Sequence, residues 1–263
     1  MSTQADSRPV WHAVVLAASR LGDPLCRAFG VSHKCLLPVA GEPMLTRVVR
    51  ALARHPAIAR IVVVIEDGTP VGPALGSLSR RVEIVKARAT AAASAATAIA
   101  AAKFDGPVLV TTADHALLDR AMLDHFIAAS EASGADVTAG LARAETILSR
   151  YPGAKRTFLR FGRDRVSGCN LYGFLTPRGL KAIAFWERIE VNRKQPLKLA
   201  AVFGLIPLLR FLTRTINLET AFRLASRKIG VAARPIVMPM PEAAIDVDKP
   251  EDKTLVEEIL ARR

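Results

Sequence analysis

Three aspartates, a lysine and an arginine are the residues of this 263-residue chain whose settings point to chemistry on phosphate. Asp114 ends the apolar run Val108-Leu109-Val110-Thr111-Thr112-Ala113. Ligands of open α/β sheets bind beyond the carboxyl ends of the strands, so a functional carboxylate belongs there. Its desolvation is offset if a cation is bound. A helix N-cap is the competing role, since Asp favours that position and His115 to Leu118 could open a helix. Asp246 and Asp248 stand two apart in Ala244-Ile245-Asp246-Val247-Asp248-Lys249-Pro250. On a strand such residues face one side and could converge on one cation. They could equally be a charged lead-in to the last helix, with Asp248 as N-cap and Pro250 in the first turn. Near the N-terminus, Arg20 and Lys34 follow the apolar run ending Leu16-Ala17-Ala18-Ser19. Small residues there let backbone amides approach phosphates, and basic residues add fixed positive charge. A solvated surface cation is the simpler role for Arg20.

Leu16-Ala17-Ala18, Arg20, Lys34 and the turn Gly41-Glu42-Pro43-Met44-Leu45 resemble the signature of the MobA-like nucleotidyltransferases. These enzymes make nucleotide-activated sugars, cofactors and lipid headgroups. Ser19 takes the family's glycine position, and the loop to Lys34 is long. The resemblance is carried mainly by residues 10–54, and more loosely by residues 82–135 and 235–262. It implies a Rossmann-like three-layer α/β nucleotidyltransferase fold of the GT-A-like kind, mostly parallel in its sheet, with a late helical insertion. It implies an NTP, CTP by preference and GTP as the alternative, joined to a phosphorylated small molecule with release of pyrophosphate. A lipid headgroup, activated sugar or polyol would be the product class.

The residue roles follow the same resemblance. The backbone of Leu16, Ala17, Ala18 and Ser19 would meet the nucleotide, Arg20 its β,γ-phosphates, and Lys34 the α-phosphate or the acceptor phosphate. Asp114 would be the principal Mg²⁺ ligand. Register before the Pro-Glu-Asp triplet favours Asp248 as the second, with Asp246 next and Asp252 structural. Ser94, in Ala91-Ala92-Ala93-Ser94-Ala95, falls where the family approaches the base, although high helix propensity accounts for the alanines by itself. Asn170 falls at the acceptor pocket or caps a turn. Lys155 and Arg156 are candidate acceptor-phosphate contacts or surface-loop residues. A glycosyltransferase of the related nucleotide-sugar fold would also use a carboxylate and a divalent ion, but lacks the lysine-bearing loop. A catalytically idle membrane-surface scaffold is the third reading, for which Ser19 is the sole pointer.

These side chains must be held by elements the hydropathy pattern marks out. Apolar runs alternate with amphipathic segments to about residue 140, in the βαβ manner. Strands are expected at Val10–Ala18, Ile61–Ile65, Val82–Val85, Pro107–Thr112, Thr157–Phe161, Val166–Phe174, Pro235–Met240 and, briefly, Ala244–Val247. Helices are expected at Met44–Arg54, Ala89–Ala102, Ala121–Ser133 and Pro250–Arg262. One nucleotidyltransferase domain over residues 1–263 accommodates this length, with an elaboration at 178–234. Cys26, Cys35 and Cys169 lack Cys-x-x-Cys spacing, so free thiols are expected rather than a disulfide framework or zinc site. The polar stretch Met1 to Arg8 lacks the apolar core of a signal peptide, and a cytoplasmic location is the expectation.

The formal net charge is +13, and its distribution is uneven. From Arg143 to Arg234 there are 19 Lys and Arg against 5 Asp and Glu, so this segment holds essentially all of the excess. Such a surface draws anionic partners. Aromatics make up 5% of residues with no basic–aromatic interleaving, so nucleic acid is not expected as a partner. The region Arg178 to Thr215 reads as two or three helices broken at Pro196 and Pro207. Within it, Leu199 to Leu209 is uncharged and bracketed by Arg188, Arg193, Lys194 and Lys198 before and Arg210 and Arg214 after. This run is too short to span a bilayer, which takes about 20 residues. It suits an interfacial helix on an anionic membrane, at the inner face, or a helical hairpin packed on the main domain or on a homodimer partner.

Overall fold

A computed structural model describes residues 10–19, 22–192 and 204–263. In chain order its first half runs β1 (Trp11–Leu16), α1 (Pro24–Phe29), β2 (Pro38–Val39), β3 (Glu42–Pro43), α2 (Met44–Ala53), β4 (Ile58–Ile65), α3 (Val71–Leu75), β5 (Val82–Lys86), α4 (Ala91–Ala102), β6 (Val108–Thr112) and α5 (Arg120–Ala132). There follow β7 (Val137–Arg143), α6 (Ala144–Arg150), β8 (Leu159–Phe161), β9 (Asp164–Phe174), α7 (Lys181–Asn192), α8 (Leu205–Leu212), α9 (Leu218–Ile229), β10 (Ala233–Met238) and α10 (Pro250–Ala261).

The main sheet has the order β10-β7-β9-β6-β1-β4-β5, with β8 on the end of β9. All neighbours along it are parallel except β9, which runs antiparallel to both β6 and β7. The central strands are β-branched and apolar without alternation because both faces are covered. Ala13 and Val15 of β1 pack with Val48 and Val49 of α2 and Phe126 of α5. Val14 points the other way, with Val62 and Val64 of β4, onto Ala92, Ala95 and Ala98 of α4. The result is three layers. Alanine lets α4 lie close on the sheet, and Thr90 caps it by accepting from the Ala93 amide at 3.1 Å.

A third apolar cluster matters most to the site. Leu25 and Leu37 from the N-terminal loop meet Leu117, Ile245, Val247 and Val256 there. It clasps the loop bearing Lys34, the turn after β6 and the lead-in to α10 into one corner. The hairpin of β2 and β3 turns through Ala40 and Gly41 at φ 47° and 78°. Positive φ at both residues belongs to the tight turn that matches strand twist.

The expected segment Ala244–Val247 is not a strand. Pro241 opens a 3-10 turn to Ala244, and the Val247 amide donates to the Asp114 carbonyl at 3.1 Å instead of entering a ladder. Pro207 does not break a helix; it sits in the first turn of α8, where its missing N–H would lack an intrahelical partner anyway. Pro196 lies outside the described residues, as do residues 197–203 of the apolar run. Helix α1 is an element the hydropathy pattern does not mark. Its cap is Asp23, which accepts from the Leu25 amide at 2.9 Å, with Pro24 at the first position.

Candidate active site

The turn after β6 presents Asp114 toward Lys34. Thr112, two residues earlier, donates its hydroxyl to Asp114 Oδ1 at 2.5 Å and fixes the carboxylate. The helix that follows begins only at Arg120, capped by Asp119, which accepts from the Met122 amide at 3.0 Å. Asp114 is therefore not an N-cap. Its Oδ2 accepts from Lys34 Nζ at 2.6 Å, and the same ammonium donates to Asp248 Oδ1 at 2.5 Å. Two carboxylates from chain positions far apart thus converge on one cation.

Lys34 is held from both sides. Ser19 Oγ accepts from the Lys34 amide at 2.8 Å, and the Ser19 amide donates to Glu66 Oε1 at 2.7 Å. The serine in place of glycine ties the return of the long loop to the end of β1. Burial by itself disfavours the Lys34 ammonium, but the charges of Asp114 and Asp248 outweigh it and hold its pKa well above the ordinary lysine range. Asp248 does not cap α10. Asp252 does that work from inside the helix, accepting from the Asp248 and Lys249 amides at 3.1 and 2.9 Å.

Asp246 lies in the same corner with different partners. It pairs with Arg156, whose Nη1 also donates to the Asp246 carbonyl at 3.3 Å, and its Oδ2 accepts from Asn170 Nδ2 at 2.7 Å. Burial and the neighbouring Asp114 charge raise the Asp246 carboxyl, with Arg156 opposing. Asn170 reaches it through a bulge in β9. The register against β7 shifts between Ala139 and Leu141, and Asn170 sits at φ 50°. Asn tolerates that left-handed conformation, and bulges re-aim side chains beside active sites. Gly140 stands opposite, where a Cβ would lie 3.2 Å from that of Leu171, a tight contact to which Leu171 would have to yield.

The Arg156 and Asp246 side chains are 10% and 12% exposed. Removing one partner of a buried pair leaves an uncompensated charge, at a cost of about 3 kcal/mol. Arg156→Leu is expected to lose that much stability in urea melts. Asp246→Asn added to it should restore most of the loss, and an additive double mutant would contradict the pairing.

The other residues marked from sequence are placed as follows. Leu16 is half-buried, Ala17 buried and Ala18 exposed at the end of β1. Arg20 lies outside the described residues. Ser94 is buried; its Oγ accepts from the Arg88 amide at 2.9 Å, so it shapes the loop before α4. Glu190 of α7 takes the first amides of α4, those of Ala91 and Ala92, at 3.2 and 3.1 Å. Lys155 is exposed between α6 and β8. Thr112, Glu66 and Glu190 escaped sequence reasoning. Thr112 alone left a signal, the two-residue spacing that puts it on the side of Asp114.

His115, next to Asp114, is fully buried with neither ring nitrogen hydrogen-bonded. Burial lowers its pKa to about 4, with the Arg156 and Arg263 charges adding and Asp114 opposing. The unfolded chain therefore binds a proton near pH 6.5 that the folded chain refuses until about pH 4. Stability present above pH 6.5 is lost as pH falls through this window, with a slope of up to about 1.4 kcal/mol per unit. His115→Leu should flatten the dependence of Tm on pH there; an unchanged slope would rule His115 out as its source.

Among the described residues, no group of three or more His, Cys, Asp or Glu side chains is arranged to hold a metal, and no helix is long and apolar enough to cross a membrane. The three cysteines are free thiols.

The three-layer, mostly parallel fold is that of the Rossmann-like nucleotidyltransferases, and it brings Lys34 of the loop after β1 to Asp114 beyond β6 and Asp248 in the lead-in to α10. The chain belongs to the MobA-like NTP transferase domain family, whose model matches residues 13–209. A solved hypothetical transferase from Thermus thermophilus is 30% identical with a TM-score of 0.76, covering 92% of this chain and 98% of its own. The fold is shared with a CMP:2-keto-3-deoxy-manno-octonic acid synthetase complexed with CTP, at 11% identity and TM-score 0.60, covering 96% and 98% of the two chains. It is also shared with a 2-C-methyl-D-erythritol 4-phosphate cytidylyltransferase from Thermus thermophilus, at 16% identity and TM-score 0.54, covering 95% and 98%. No curated protein matches the sequence.

Proposed function

We propose that the chain is a Mg²⁺-dependent cytidylyltransferase, joining CTP to a phosphorylated small molecule with release of pyrophosphate. The observation that carries this reading is Lys34 Nζ held between Asp114 and Asp248. Mg²⁺ is usually held by one or two carboxylates, with water and substrate phosphates completing its shell. Two carboxylates already converging on a cation fit that requirement, so Asp114 and Asp248 are the residues to hold the metal. When bound, it would neutralise charge on the triphosphate. Asp246 is spent on Arg156 and Asn170, and its role is to position them.

The remaining work belongs to the chain's own groups. The end of β1 from Leu16 to Ser19 would border the phosphates, although the Ala17 and Ser19 amides are already given to Val64 and Glu66, with Arg20 as a further cation. Lys34 stabilises charge developing at the α-phosphate, which calls for fixed positive charge rather than a covalent nucleophile. Asn170 orients an acceptor hydroxyl. Arg156, whose buried Nε has no hydrogen-bond partner, and Lys155 receive the acceptor phosphate. Ser94 holds the base-side loop through Arg88. CTP is favoured over GTP by the fold shared with CTP-named enzymes. The acceptor is a sugar, polyol or lipid-headgroup phosphate.

We further infer that residues 1–263 form one nucleotidyltransferase unit, with residues 178–234 as its elaboration. Its α8 attaches the enzyme peripherally to an anionic membrane from the cytoplasmic side, a homodimer being the alternative cover for that face. Pyrophosphate release from the four NTPs, tried against a panel of sugar, polyol and amino-alcohol phosphates, tests the activity. Silence across the panel, with cleavage of a nucleotide sugar instead, would favour the glycosyltransferase reading.

A further inference from the structure

Beneath α8 lies a cavity of about 390 Å³ that the catalytic corner does not use. It is walled by Phe185 and Ile189 of α7, Leu208 and Phe211 of α8, and Phe222 of α9. Lys228 is the one polar side chain among its described lining residues, and it is exposed at the surface. The cavity opens to solvent on one side rather than being sealed in the interior. An apolar cavity of about 150 Å³ already takes up benzene, and small-molecule sites begin at about 300 Å³. The volume therefore marks a site for an apolar ligand.

The surroundings choose the ligand's other end. Arg210, Arg214, Arg223, Arg227 and Lys228 are all exposed on α8, α9 and the link between them. They belong to the segment with 19 basic against 5 acidic residues. The outer side of α8 exposes Leu205, Ile206, Leu209 and Leu212, Ile206 being 72% accessible. One short helix thus has an apolar inner side over the cavity and an apolar outer side, and Lys228 is the cation at the cavity's edge. A flexible chain of methylenes satisfies a lining that offers no hydrogen bonds, and an anionic head suits Lys228 at its edge within this strongly basic segment.

We propose that the cavity binds one hydrocarbon chain of an anionic lipid, with the headgroup at the Lys228 edge. Binding does not depend on the nucleotidyl-transfer reading and is measured without it. The probe is lysophosphatidylglycerol below its micelle concentration, followed by native mass spectrometry of the full-length protein. A one-to-one adduct is expected, weaker with lysophosphatidylcholine. Ala221→Phe and Ala225→Phe each put a ring into the cavity and should weaken the adduct by about tenfold or more. Ile206→Ser changes only the outer side: it should keep the adduct while losing binding to mixed phosphatidylcholine and phosphatidylglycerol vesicles. Should both filled variants fail to fold, glycerol phosphate replaces them as the comparison, since it carries the charge without the chain and should not bind.

No adduct in the wild type, an adduct undiminished in folded filled variants, or equal affinity for the two lysolipids would overturn the proposal. So would glycerol phosphate binding as tightly as the lysolipid. A concentration-dependent dimer that Ile206→Ser dissociates, with no lipid adduct, would assign the face to a second copy and overturn it as well.

Discussion

Asp114→Asn is expected to lower the rate of nucleotidyl transfer about a thousandfold while leaving the protein folded. The substitution keeps an oxygen to accept from the Thr112 hydroxyl, and it leaves untouched the backbone bond from Val247 that seats the lead-in to α10. What it removes is one of two negative charges that converge on a cation. Asn remains a weak oxygen ligand, so the loss should appear in kcat and in the Mg²⁺ concentration needed, with the Tm nearly unchanged. Full activity in the variant would dismiss Asp114 from the metal site. A large fall in Tm would mean that the carboxylate serves stability instead.

Lys34→Met should lower the rate about a hundredfold or more, through loss of a fixed cation beside the developing charge. Its second effect distinguishes it from an ordinary active-site substitution. Without the ammonium, Asp114 and Asp248 lose the cation they share, so the protein without Mg²⁺ should lose about 2 kcal/mol of stability. The figure stays modest because Asp248 is 59% exposed and solvent screens it. Mg²⁺ alone, with no nucleotide, should then raise the Tm of the variant more than that of the wild type. Lys34→Arg should not rescue the rate, since a planar fork does not substitute for a compact ammonium between two oxygens. Equal responses to Mg²⁺ in wild type and variant would separate the lysine from the metal position.

Much of the architecture was legible because buried parallel strands announce themselves as β-branched runs, as Ile61 to Ile65 does. Helix α1 was not, because six residues inside a polar loop carry no periodicity, and only Asp23-Pro24 hints at a cap. The segment 244–247 misleads for a physical reason. Ile245 and Val247 alternate with Asp246 as a strand would, but their burial is in the clasp between the N-terminal loop and α10, and the Val247 amide pairs with Asp114. Asp114 could be named in advance because it ends an apolar run, and Lys34 and Asp248 because the segments that carry them resemble the family's. That they share one ammonium could not be known, since it depends on that clasp. The group of Arg156, Asn170 and Asp246 was still less visible. It rests on a bulge opposite Gly140 and on contacts 76 and 90 residues apart in the chain.

Following CTP labelled at its α-phosphate tests nucleotidyl transfer at this corner most directly. With Mg²⁺ and the matching acceptor phosphate, the label should move into a nucleotide-linked acceptor as unlabelled pyrophosphate appears, and Asp114→Asn should slow the movement about a thousandfold. Label that stays in CTP across the acceptor panel, label that leaves as CDP, or transfer that persists undiminished in the variant would contradict it.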